Sequence, residues 1–99
     1  MTQPKLNIRR VVIDVDKALR IPSLIEIGRA INKCVGVQAF NITVTEVDQE
    51  TVGTSITVEG ENIDYDELVL LIEKSGAVVH SLDELVCGDR VIDNVPRVR

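Results

Sequence analysis

Ninety-nine residues with 44% hydrophobic and 27% charged positions point to one domain over 1–99, with its core at about residues 6–87 and a tail over 88–99. Only 2% of the chain is aromatic (Phe40 and Tyr65, with no Trp), so the core must be aliphatic, and recognition by stacked rings is disfavoured. The net charge of −5 repels phosphate backbones; neither Arg9-Arg10 nor Arg97 with Arg99 makes a nucleic-acid footprint, so no nucleic-acid partner is expected.

No run approaches the length of a bilayer span, and the polar start, Met-Thr-Gln-Pro-Lys, lacks the apolar stretch of an export signal. The expectation is a cytoplasmic protein with no membrane partner and two reduced thiols.

The first element is a strand over 5–16, KLNIRRVVIDVD. Val11, Ile13 and Val15 share one face; Ile8, Arg10, Val12 and Asp14 share the other. A strand partly apolar on both faces suits the middle of a sheet. Pro22 then disfavours a helical Ile21, and Ser23 with Glu26 three positions on forms a capping box. The helix runs to about Cys34, with Leu24, Ile27, Ala30 or Ile31, and Cys34 inward, and Gly36 stops it.

Next comes a hairpin. Strand 37–48 places Phe40, Ile42, Val44 and Glu46 on the core face, and Asn41, Thr43, Thr45 and Val47 on the other. Asp48-Gln49-Glu50-Thr51 is the polar turn, and strand 54–60 returns with Ile56 and Val58 inward and Ser55, Thr57 and Glu59 outward. Asp64 and Glu67 form a second box-like cap for a helix over 65–75 that buries Leu68, Leu71 and Ile72. A fourth strand follows at 77–86, and a further short strand is expected at Arg90–Asp93.

The order β-α-β-β-α-β predicts an α+β, ferredoxin-like split β-α-β sandwich: a four-stranded antiparallel sheet with two helices on one face. Right-handed crossovers give the spatial order 4-1-3-2. The other sheet face, from Ile8 and Arg10 to Ser55 and Thr57, is then open. A half-apolar open face invites self-association there, or edge to edge along the second or fourth strand.

Two acidic edges carry the chemistry. The ends of the first two strands meet the start of the fourth and gather Asp14, Asp16, Glu46, Asp48 and His80, oxygen-rich ligands suited to Ca²⁺ or Mg²⁺. An EF-hand over Asp14-Val15-Asp16 fails, because Leu19 and Ile25 stand where the loop needs Gly and Glu. At the opposite edge Asp83 and Glu84 are a second candidate for a cation or a subunit contact. His80 is the lone histidine, and neighbours such as Ser81 face away from it, so no nucleophile–base constellation arises. Cys34 and Cys87 lack the spacing of a soft-metal or redox pair. No catalytic residue is assigned, and an enzyme is the least favoured class.

The segments NITVTEVDQET (41–51), ITVEGENIDYDEL (56–68) and GAVVHSLDELVCGDRVI (76–92), with RRVVIDV (9–15), carry a resemblance. Together they resemble domain-of-unknown-function family 211, small proteins found mainly in archaea. The resemblance implies a ferredoxin-like fold, a cytoplasmic location and assembly into homo-oligomers. It implies no activity and no catalytic residues. Cys87 stands where a small residue such as Ala would fit the family pattern, which argues against a role for that thiol. The expected function is that of a self-associating, non-enzymatic module holding a divalent cation or small ligand. The alternative is a regulatory domain similar to the amino-acid-sensing ACT domains, which bind effectors at subunit interfaces.

Overall fold

The computed structural model describes residues 4–96. Its elements are β1 (Ile8–Ala18), α1 (Leu24–Asn32), β2 (Val37–Val47), β3 (Thr51–Gly60), α2 (Tyr65–Lys74) and β4 (Val78–Cys87). They form one antiparallel sheet in the order β2-β3-β1-β4, the expected ferredoxin-like arrangement.

β1 is one of the two inner strands, beside β3, and its alternation dictates the core. Val11, Ile13 and Val15 are fully buried and meet Val58 and Ile56 of β3 across the ladder. Ile27 and Ile31 of α1 and Leu68 and Ile72 of α2 close over them. Each such side chain taken out of water is worth about 1.5–3 kcal/mol. β1 extends beyond the expected Asp16 to Ala18, so Lys17 continues the inward row. Lys17 is only 7% exposed, and its Nζ donates to the Ala18 and Leu19 carbonyls at 2.6 and 3.2 Å.

The N-terminus of α1 is the capping box read from Ser23 and Glu26. Ser23 Oγ accepts from the Glu26 N–H at 3.1 Å, and Glu26 Oε1 accepts from the Ser23 N–H at 3.5 Å. Such a cap contributes about 1 kcal/mol. The α2 cap is only half a box. Asp64 Oδ1 accepts from the Glu67 N–H at 3.1 Å, but Glu67 turns away and accepts from the Val35 N–H at 2.7 Å. That carboxylate ties the start of α2 to the chain leaving α1.

Four expectations are corrected. Register shifts in β1–β4, one of them between Ile8 and Arg10, turn Ile8 from the open face onto the core. A shift between Val44 and Glu46 leaves Thr45 bulged. Glu46 therefore joins the open face opposite Gly53, while Val47 falls opposite the buried Val52. Phe40 and Val44 do face the helices, but α1 does not reach far enough to bury them. Residues Arg90–Asp93 form no strand. They are held by side chains instead: Arg9 Nη1 donates to the Asp89 carbonyl at 3.1 Å and Arg10 Nη1 to Asp93 Oδ1 at 2.8 Å. Arg97 and Arg99 lie outside the described residues.

Candidate functional site: two uncovered sheet edges and an aspartate–histidine pair

The helices cover the middle of the sheet and leave both flanks bare. On the β2 flank, Phe40 and Val44 are 37% and 42% exposed, and Phe40 with Ile25 of α1 edges a groove of about 440 Å³ floored by Gly28 and Ile42. Gly28 is buried because Phe40 lies against it: a Cβ there would stand 3.3 Å from the ring. On the β4 flank, Leu82 and Leu85 sit opposite Ile13 and Val11, hence on the helix side, yet are 41% and 48% exposed. Apolar patches on both outer strands of a small sheet are what association surfaces look like.

The open face is more polar than its pattern suggested. Arg10 is its hub. Its Nε donates to Glu59 Oε2 at 2.7 Å and its Nη1 to Asp93 Oδ1 at 2.8 Å, with Glu84 Oε1 at 3.5 Å. Hydrogen bonds to Asp93 and Glu59 hold the guanidinium charged well beyond its ordinary range. Sequence reasoning placed Arg10 here but missed Asp93, whose place depends on how the tail turns.

The acidic candidates separate. Asp16 and His80 meet: His80 Nε2 lies 2.9 Å from Asp16 Oδ2, and both side chains are partly exposed. Asp14 stands between Ser55 and Ser81 in the ladder. Glu46 and Asp16 flank Gly53 in one cross-strand row; a Cβ on Gly53 would lie 3.6 Å from Asp16 Oδ1 and from the Glu46 Cβ. Asp48 belongs to the hairpin turn, where its Oδ1 accepts from the Gln49 N–H at 2.7 Å. Asp83 accepts from Ser81 Oγ at 2.7 Å, and Glu84 belongs to the Arg10 hub. Among the described residues no three such side chains stand close enough to hold a metal within one chain. Asp16 and His80 supply two donors, an incomplete set.

Both cysteines are free. Cys34 is buried at the α1–α2 junction, with Sγ 3.3 Å from the Asp64 carbonyl. Burial pushes its thiol up to about 12, and the Glu67 and Asp64 carboxylates add to the rise. Such a thiol is chemically quiet. No helix among the described residues is long and apolar enough to cross a membrane.

The chain is similar to "Uncharacterized protein MJ0319" of Methanocaldococcus jannaschii, at 38% identity over 89 residues, covering 90% of this chain and 91% of the relative. The matched region of the family described as "Uncharacterized ArCR" takes in residues 9–99, from the β1 arginines through β4 and the tail that Asp93 anchors. On that match the chain belongs to domain-of-unknown-function family 211.

Proposed function

We propose that the protein is a self-associating, non-enzymatic module that holds a divalent cation or small ligand between its copies. The observation that carries this reading is the pair of apolar flanks, Phe40 and Val44 on β2 and Leu82 and Leu85 on β4, left uncovered on a domain of this size. The ligand part rests on Asp16 and His80, two donors in contact on an open face, with Glu46 in the same row. An exposed pair of this kind contributes at most about 1 kcal/mol, so it opens cheaply to admit a third group.

Sedimentation velocity at micromolar concentration tests the first part: assembly is expected, and a strict monomer overturns it. Calorimetric titration with Ca²⁺ or Mg²⁺ tests the second. Asp16→Asn with His80→Ala is expected to lower affinity at least tenfold, and unchanged affinity removes that site. Asp14→Asn with Asp48→Asn tests the wider acidic edge in the same way.

The groove between α1 and β2 favours a second reading, an ACT-like effector site at a subunit contact. A thermal-shift screen separates the two, because a ligand bound by the folded state alone raises its stability. Stabilisation by an amino acid supports sensing, and stabilisation by a divalent cation supports the metal site.

A further inference from the structure

We infer that the furrow between α1 and α2 binds a small molecule carrying a phosphoryl or diphosphate group. The site lies within one chain, so it stands apart from the self-association proposed above. Glu26, Arg29 and Lys33 recur at helical spacing along α1, and Lys74 faces them from α2. With Leu71 and Ser75 they line a furrow of about 410 Å³. It holds three cations against one carboxylate, on a chain whose net charge is −5. Among the described residues none of these three cations has an ion pair or a side-chain hydrogen bond, whereas Arg9, Arg10 and Lys17 are all engaged.

A cation near the C-terminal end of its own helix is favoured by the helix dipole, and all three qualify. That does not account for their sharing one furrow. α1 and α2 run antiparallel: Glu67 holds the Val35 N–H at one end, and Gly76 packs beside Pro22 at the other. Each C-terminus lies beside the other helix's N-terminus, so the two dipoles largely cancel and the side chains set the field. The neighbouring acids are turned to other work. Glu73 Oε2 accepts from the Val79 N–H at 3.4 Å, and Glu26 Oε1 belongs to the capping box. A compact dianion answers such a furrow, because the planar fork of Arg29 can take two phosphate oxygens while the two ammonium groups act as point charges. The Ser75 hydroxyl already donates to the Ile72 carbonyl at 2.5 Å, so the cations carry the binding. Asp64, Asp66 and Glu67 stand at the α2 end that meets the end of α1, so a long polyanion running down the furrow meets repulsion that a small one escapes. No aromatic ring lines the furrow to stack a base.

Inorganic diphosphate and inorganic phosphate are the probes, titrated calorimetrically into the full chain at about 0.02 M salt, where exposed charges are weakly screened. Diphosphate is expected to bind once per chain with a Kd below about 1 mM, and phosphate more weakly. Lys33→Gln with Lys74→Gln is expected to weaken diphosphate at least about tenfold, and Arg29→Gln alone several-fold. Lys5→Gln with Arg90→Gln removes the same charge outside the furrow and is expected to change the affinity less than about twofold. All five side chains are exposed, and circular dichroism confirms that each variant folds. Equal losses from the two pairs would reduce the effect to net charge and overturn the site, as would the absence of any heat up to about 10 mM diphosphate. Citrate binding more tightly than diphosphate would overturn the phosphoryl class. The heats are read per chain, so a protein that sediments as a strict monomer removes the proposed self-association and leaves this test intact.

Discussion

Cys34 shows what burial does to one reactive group. Desolvation holds its thiol neutral up to about 12, whereas in the unfolded chain a cysteine ionises near 8.5. Between those values the unfolded state releases a proton that the folded state keeps. The stability that Cys34 contributes is therefore complete below about pH 8.5 and declines steadily as pH rises toward 12. At pH 7, Cys34→Ala is expected to cost about 1 kcal/mol. That gap should narrow at each step from pH 8 to pH 10.5 in paired thermal melts. Taking the difference between the two proteins cancels Tyr65, whose hydroxyl burial also raises, and every lysine. A gap that stays constant would mean that the folded thiol ionises as freely as the unfolded one. Sequence placed Cys34 on the inward stripe of its helix; it is buried as expected, but it lies two residues past the end of α1, beyond the Lys33 cap. Sequence could not show the Asp64 carbonyl and the Glu67 carboxylate around the sulfur, because both come from a segment thirty residues away.

The β2–β3 hairpin is the element on which local pattern and tertiary structure differ most. Its alternation was legible from Phe40 to Val58, and its turn from Asp48. The bulge at Thr45 was not, because an extra residue changes no composition; it only moves Glu46 and Val47 to opposite faces. Nor did alternation reveal that Phe40 and Val44 stay half uncovered, since the reach of a helix over an edge strand depends on packing and not on the strand's own residues. The two glycines of β3 give a contrast that tests the hairpin. Gly60 passes so close to the chain at Gly36 that a Cβ would overlap the Gly36 carbonyl oxygen, with the Gln38 nitrogen 3.0 Å away. Both obstacles are backbone, and the Glu61 N–H to Gly36 carbonyl bond at 3.0 Å pins them. Gly60→Ala is therefore expected to cost roughly 3 kcal/mol or more by urea unfolding, the scale of a forced backbone shift. Gly53→Ala meets nothing nearer than 3.5 Å and replaces a flexible strand residue, so its effect should stay within about 1 kcal/mol of zero and is expected to stabilise. Equal costs at the two positions would mean that the junction of β2 and β3 relaxes freely.

At the scale of the whole molecule two forces oppose each other. Uncovered Phe40, Val44, Leu82 and Leu85 favour contact between copies, while a net charge of −5 on each copy opposes it. The fold was legible because helix caps, turn residues and two periodicities agreed on one topology. The candidate site was legible only in part: strand direction placed Asp16, Glu46 and His80 at one edge, but pairing distance depends on twist and bulges. Salt separates the two forces. Raising ionic strength from about 0.1 M to about 1 M shortens the screening length from about 10 Å to about 3 Å and removes most of the repulsion between like-charged copies. Apolar burial does not weaken under the same change. If the flanks drive association, weight-average mass at fixed micromolar concentration should rise with salt, and the half-assembly concentration should fall several-fold. The thermal midpoint should rise with protein concentration in the same series, because assembly binds only the folded state. Dissociation at high salt would instead identify ion pairs between copies as the dominant contact, and Val44→Lys would then leave assembly largely intact.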